Sequence, residues 1–581
     1  MKVPLIVCLA TLVVLTSVQA QFPRMCIHNA TSGDDSTCCP SWPGDSTPCG
    51  GSTRGTCVSV DQIGKVEDLH NMEYVLDSRF QWPRKFFQNV CECKGHFTGY
   101  MCQECQYGYY GPDCNEKKVT TRQNALSLDD SQRTVFRDVM NQAKYTQSDY
   151  VIFLGRNESG ILYTNVSVYD FLNYIHMYSS KSLAPEDMLE PCLQVYPKST
   201  LDFSHKGPAF LTWHRAFLLV AERELQKIAG GDHFTIPYWD WAGDNETCNV
   251  CVNDLVGATN YSDPKRLLDK HSIFSSWQVL CPQYNITTTS DAAHTSLDEA
   301  IEVIRRGPPQ TEEQRRLELP DLLEVQGAFQ HRVYDTSVTN TEPEDHTGFR
   351  EAVEGTTIKL PGELQQEDYT MSLKVHKYLN GTMTDVTMSA ADPIFLLHHS
   401  YVDMLFELWL RENSNGTSEL PKDGAQPGHN RDSLLVPFFP PINQSDFYVD
   451  SRTLGYEYTN IDVLKASVYP SPHNGNAASL LASVFTVSIG VIIFAPAMLY
   501  IAYYTCRLQD HLPAYRPVYK DYVKVPDLED SLSSSYGSTA NTHVAFYVPS
   551  SEEDLSGHFT KQGYLPVSYS ENKPQTILSM V

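Results

Sequence analysis

Five histidines, His176, His205, His214, His376 and His399, sit where predicted helices would aim them at a common centre. His176 lies on the apolar face of a helix predicted over 168–179. His205 precedes Pro208, and His214 lies two turns into the helix that follows. His376 falls in EDYTMSLKVHKYLNGT, residues 367–382, which reads as one amphipathic helix; His399 is the second of the pair in LLHHSYVD. Neutral imidazole is a good ligand for copper, zinc, iron and nickel, and a bundle core can hold ligands from facing helices. Taken singly, each of these residues is better explained as a hydrogen-bonded core histidine. Histidines on four successive helical segments, in a chain with 19, point instead to a metal centre. One turn before His376, where a second imidazole would complete a pair on the same helix face, stands Ser372. The nearest upstream alternative is His346, in the loop EPEDHTGF.

The elements that must position these side chains carry clear boundary signals. PAFLTWHRAFLLVAERELQKIAG opens on Pro208, suited to a first turn, and stops at Gly230-Gly231. DPIFLLHHSYVDMLFELWLREN opens with Asp392 as N-cap and Pro393 at the first helical position. Residues 117–455 therefore read as a mainly α domain with long loops. Upstream, residues 21–116 hold ten cysteines, ending in Cys91-x-Cys93-x8-Cys102-x2-Cys105-x8-Cys114, which looks like part of an epidermal-growth-factor-like module. Such a segment has too little apolar content for a core and relies on bridges. It serves either as a partner-binding module or, more simply, as a structural cap on the next domain. Cys248-x2-Cys251 reads as a local disulfide rather than a redox or zinc motif, which leaves Cys192 and Cys281 to pair by elimination.

At 581 residues the chain exceeds one ordinary core. Residues 1–20, with Lys2, an apolar run and a small-residue close, read as a cleaved secretory signal. Leu480 to Tyr504 is uncharged and long enough to span a bilayer, and Arg507, Arg516, Lys520 and Lys524 follow it. A stalk at 456–479, a span at 480–504 and a cytosolic tail at 505–581 make this a type I membrane protein with a luminal ectodomain. Sequons at Asn29, Asn157, Asn165, Asn245, Asn260, Asn285, Asn380, Asn415 and Asn443 agree with that reading. The net charge of -26 argues against nucleic acid. Tail motifs at Tyr515, Tyr522 and Tyr564 resemble sorting signals read by adaptors.

Further stretches carry a resemblance. FTIPYWDW (Phe234–Trp241), FLTWHRAFLL, FSSWQVLC, YLNGTM, DPIFLLHHSYVD and GHNRDSLLVPF are similar to signatures of the tyrosinase family of pigment cells. The likeness extends from signal peptide to membrane span. It implies a type 3 site of two copper ions in a four-helix bundle, each metal held by three imidazoles. The first would take His176, His205 and His214; the second would take His376, His399 and the residue at 372. His398 matches a neighbour that the family does not use, and one residue along a helix is ~100° of rotation, so it is expected to point away. Val386 and Ser389 match positions lining the family's substrate pocket, with helix-entry packing as the alternative. Trp239, Asp240 and Trp241 read as scaffold.

The implied chemistry is hydroxylation of monophenols and oxidation of catechols by O2, with tyrosine and dopa as substrates leading toward melanin. The implied location is the melanosome or a related pigment organelle. Two departures qualify this. Ser372 replaces an imidazole, and Leu373 stands where relatives with monophenol activity often carry asparagine. Three readings remain open: a copper oxidase with a modified second site, active on catechols; a non-oxidising relative holding zinc; and a metal-poor luminal scaffold.

Overall fold

The computed structural model describes residues 22–26, 37–42, 46–63, 78–84, 86–157, 160–180, 201–243, 247–263, 265, 267–283, 301–307, 318–336, 347–355, 357–359, 367–414, 416, 419–469, 564–566 and 577–579. The signal, His346, Cys192 and the apolar run 480–504 lie outside them. Among the described residues no helix is long and apolar enough to cross a membrane. The chain divides into two units, Met1–Asn474 and Gly475–Val581. In the second, Tyr564–Pro566 pairs antiparallel with Ile577–Ser579.

Eight α-helices occur among the described residues, all in the first unit. They are α1 (Asp130–Tyr145), α2 (Val168–Ser180), α3 (Ala209–Ala229), α4 (Leu322–Ala328), α5 (Phe349–Glu354), α6 (Met371–Leu379), α7 (Ile394–Asn413) and α8 (Ile461–Val468). The mainly α reading of this region holds, and the boundary signals act as expected. Gly230 ends α3 in the left-handed conformation, φ 78°, where glycine carries no Cβ penalty. The Asp392 carboxylate accepts the Ile394 N–H at 3.1 Å and receives Arg306 Nε at 2.9 Å, which caps α7 and ties its start to the neighbouring loop.

Residues 367–382 are not one helix. Glu367–Tyr369 is a strand paired with Thr357–Lys359, and only Met371–Leu379 is α-helical. Asn380 and Gly381 take φ of 53° and 58°, so the chain turns there into a 3-10 segment, Gly381–Thr384. The stalk also begins later than expected. Tyr456–Tyr458 is a strand parallel to Thr120–Arg122, and α8 packs its buried Ile461, Leu464 and Val468 inward. Apolar spacing in 456–468 serves the core rather than a linker.

The core is centred on α3 and α7, which pack against each other. Every residue of α7 from Ile394 to Leu410 is buried, as expected of a helix with apolar residues on all sides. Polar residues break that pattern, among them His398 and His399 toward one end and Asp403 and Glu407 toward the other. Asp403 receives Arg215 Nε at 2.6 Å, Arg122 Nη1 at 3.4 Å, and hydroxyl donors from Tyr456 and Tyr458 at 2.6 Å each. Glu407 receives Arg215 Nη2 at 3.2 Å and Arg411 Nε at 2.7 Å. This network locks α3, α7 and the strand pair into one frame.

The ten cysteines of the N-terminal segment pair among themselves: Cys26–Cys38, Cys39–Cys57, Cys49–Cys91, Cys93–Cys102 and Cys105–Cys114. Cys248 pairs with Cys251, as its spacing suggests. The segment docks on α3 through Glu104, which binds Arg223 at 3.0 Å and Lys227 at 2.8 Å. Gly108 meets Gly455 backbone to backbone; a Cβ on Gly455 would lie 2.2 Å from the Gly108 Cα. These contacts are those of a cap seated on the helical domain.

Candidate metal centre

Helix α2 carries His176, the loop before α3 carries His205, and α3 carries His214. One ring nitrogen of each lies within 4.8 Å of the others. Two rings are held by their second nitrogen. His214 Nδ1 donates to the Phe210 carbonyl one turn back, at 2.8 Å, which leaves Nε2 bare. His205 Nδ1 lies 3.1 Å from Asp202 Oδ1, and the same oxygen accepts the His205 backbone N–H at 2.9 Å. A carboxylate on the far nitrogen fixes the tautomer and makes the ring a better donor to a metal.

His429, in the GHNRDSLLVPF stretch, supports this loop and was not singled out by type or spacing. Its Nδ1 accepts the Ala209 N–H at 3.1 Å and its Nε2 donates to the Asp202 carbonyl at 2.7 Å. It thereby joins the start of α3 to the His205 loop. The GHNRDSLLVPF stretch itself is the available signal, but nothing local in it says that His429 meets the start of α3.

A second triad lies beside the first: His376 on α6 with His398 and His399 on α7, again with one ring nitrogen of each within 4.8 Å of the others. His376 Nδ1 donates to the Met383 carbonyl at 2.8 Å. The triads adjoin through His214 and His399, whose rings stack at 4.2 Å between centroids with planes 8° apart. The expectation that His398 points away fails. Its ring centroid is 4.9 Å from that of His376 and 4.8 Å from that of His399. A rotation of ~100° separates the Cβ directions of successive residues, but α7 is enclosed on every side, so adjacent long side chains both reach the interhelical space. Ser372 sits beneath this ring, its Oγ 2.9 Å from His398 Nε2.

Burial holds the imidazoles of His176, His214, His398 and His399 well below the ordinary histidine pKa, and neighbouring imidazoles add to it. Burial lowers His376 to about 4. His205 is the exception: burial opposes the charged form there, but Asp202 outweighs it and raises the pKa. Neutral rings present lone pairs. Among the described residues, both nitrogens of His176 and His399, Nε2 of His214 and Nδ1 of His398 are buried without a hydrogen-bond partner. Leaving one such group unpaired costs on the order of 1–3 kcal/mol, so a cluster of them is explained by a ligand that takes nitrogen donors. Two imidazole triads in contact, five of their six rings held toward the neutral form, fit a pair of copper ions.

A cavity of about 470 Å³ opens onto both triads, with His205, His376 and His399 in its wall. Val386 and Ser389 line it, as do Leu373, Phe210 and Lys206. Asp202→Asn is expected to weaken metal retention by about 10–100-fold, the range for loss of a carboxylate behind a ligating histidine. Titration of bound metal against a competing chelator measures this; unchanged retention would mean that His205 is oriented by other contacts.

The central-domain model of tyrosinase matches residues 166–412, which span both triads. Tyrosinase of Gallus gallus is 37% identical over 458 residues, covering 77% of this chain and 83% of that one. Tyrosinase of Felis catus is 35% identical with the same coverage. The 5,6-dihydroxyindole-2-carboxylic acid oxidase of Gallus gallus is 33% identical over 525 residues, covering 87% of this chain and 93% of that one. With its paired imidazole triads and likeness of this extent, the chain belongs to the tyrosinase family of copper oxidoreductases.

Proposed function

We propose that this protein oxidises catechols to quinones with O2 at a pair of copper ions, in pigment synthesis within a secretory-pathway organelle. The observation that carries the reading is the contact between two largely buried imidazole triads at the wall of one cavity. Copper, when bound, supplies reduction of O2, and two catechols are oxidised for each O2 taken to water. The chain's own residues do the rest. Asp202, Phe210 and Met383 hold His205, His214 and His376 by their far nitrogens, so the lone pairs stay aimed at the site. Val386 and Phe210 give an aromatic substrate apolar wall, and Ser389 lies among them.

Catechol oxidation is favoured over monophenol hydroxylation by Leu373, which lines the cavity next to Ser372 and offers no polar atom to help take a phenol's proton. The names of the relatives, tyrosinase and 5,6-dihydroxyindole-2-carboxylic acid oxidase, suit a substrate of the catechol class. The apolar run 480–504 and the basic residues after it support a type I protein with its copper domain in the lumen of a melanosome-like compartment, and Tyr515 and Tyr522 suit adaptor-read sorting. Metal analysis of the full-length protein with dopa and tyrosine as substrates tests the reading. Two coppers per chain, with dopa turnover exceeding tyrosine turnover, are expected. Stable zinc without turnover of either, or no metal at all, would overturn it.

A further inference from the structure

The second triad has an unusual composition for its geometry. Two of its three rings come from successive residues of one helix, and Ser372, one turn before His376 on the facing helix α6, contributes only a hydroxyl. A neutral serine hydroxyl is a poor copper ligand, so on the residues of α6 alone this centre holds one nitrogen. We propose that His398 supplies the third nitrogen of the second metal centre, in the place that residue 372 leaves open. The proposal rests on the copper reading above and goes beyond it by assigning a ligand.

Three observations carry it. A His398 ring nitrogen already lies within 4.8 Å of the donor atoms of His376 and His399, without any movement of the helices. The ring is wholly buried, its Nε2 is in contact with Ser372 Oγ at 2.9 Å, and its Nδ1 has no partner among the described residues. A core histidine kept only for packing would leave that nitrogen unpaired at a cost of about 1–3 kcal/mol. The third observation is steric. An imidazole reaches farther from its Cβ than a hydroxyl does, and the Ser372 hydroxyl is already at hydrogen-bond distance from the His398 ring. Histidine at 372 and the His398 ring in this position therefore exclude each other. The small residue on α6 and the inward ring on α7 are two halves of one arrangement, in which Ser372 makes room for the imidazole and steadies it.

The test uses the full-length protein, loaded with copper and dialysed against a graded chelator, with copper per chain as the readout. The unaltered chain is expected to keep two coppers. His398→Phe, which keeps a ring but removes both nitrogens, is expected to keep one, and the second copper should be lost at a chelator concentration at least about 10-fold lower. In His398→Phe with Ser372→His the ligand is returned from the other helix, and two coppers are expected again. Two coppers held as firmly in His398→Phe as in the unaltered chain would overturn the proposal. If the phenylalanine variant does not fold, Ser372→His alone decides. No gain in copper supports the assignment, because the new ring can only compete with His398. A rise in retention of about 10-fold or more overturns it, because the centre was then one ligand short. An unaltered chain that takes one copper, lost in His214→Gln, counts against His398 while leaving the first centre standing. A chain that takes none counts against the copper reading itself and against this assignment with it.

Discussion

His214→Gln is expected to remove one of two coppers per chain and to lower dopa oxidation by more than about 100-fold. Losing a group that merely supports a ligand already costs about 10–100-fold, and His214 is placed as a ligand rather than a support. Its Nδ1 is committed to the Phe210 carbonyl and its Nε2 is buried with no partner among the described residues. Its ring also stacks on His399, so the site between the triads is disturbed as well. Glutamine keeps much of the volume, which limits damage to packing in α3. His233→Gln, at an exposed position past the end of the same helix, is the control and should change neither quantity. Metal analysis with oxygen uptake on dopa reads both effects; retention of two coppers and full uptake by His214→Gln would show that the nitrogens face no metal.

A second large effect is expected far from the cavity. Asp403→Ala should destabilise the first unit by about 3–5 kcal/mol, the range for removing one partner of a buried ion pair. The carboxylate is 3% exposed and serves two arginines and two tyrosines; without it Arg215 and Arg122 remain buried with less compensation. Burial alone would raise its pKa, but Arg215 and Arg122, helped by the tyrosine hydroxyls, hold the carboxyl below its ordinary value. Its contribution is therefore complete above the ordinary carboxylate range and is lost on acidification through the lower folded-state value. Denaturation followed by tryptophan fluorescence measures the loss, and the difference between variant and parent should narrow as pH falls. A change below about 1 kcal/mol would mean that solvent or rearranged side chains replace the carboxylate readily.

The two effects separate what α3 does. One of its faces presents His214 to the metal site; another presents Arg215 to Asp403 and Glu407. Successive residues of one helix thus serve chemistry and framework. The same holds on α7, where His398 and His399 lie roughly one to two and a half turns before Asp403 and Glu407. A buried polar group is costly unless it is paired; on α7, Asp403 and Glu407 are paired with arginines, and His398 and His399 face the candidate metal centre.

Much of this is legible in the amino-acid sequence alone. Residue type and helical spacing gave His176, His205, His214, His376 and His399 as a set, because imidazoles on apolar faces must meet something in a core. Pro208, Gly230 and Asp392 marked helix ends through strictly local backbone rules, and those ends lie within a residue or two of the observed ones. The cysteine-rich cap and the Cys248–Cys251 bridge followed from composition and short spacing. Other features depend on which segments become neighbours. Tyr456–Tyr458 read as linker because nothing local announces that it will pair with Thr120–Arg122 and deliver two hydroxyls to Asp403. His429 carried no assigned role because its partners, Ala209 and Asp202, lie more than two hundred residues away. His398 was turned outward by helical rotation taken alone, a rule that supposes an outside. In an enclosed helix the direction of a side chain is decided by the space its neighbours leave, and that space, opened by Ser372 on another helix, exists only once the chain has folded.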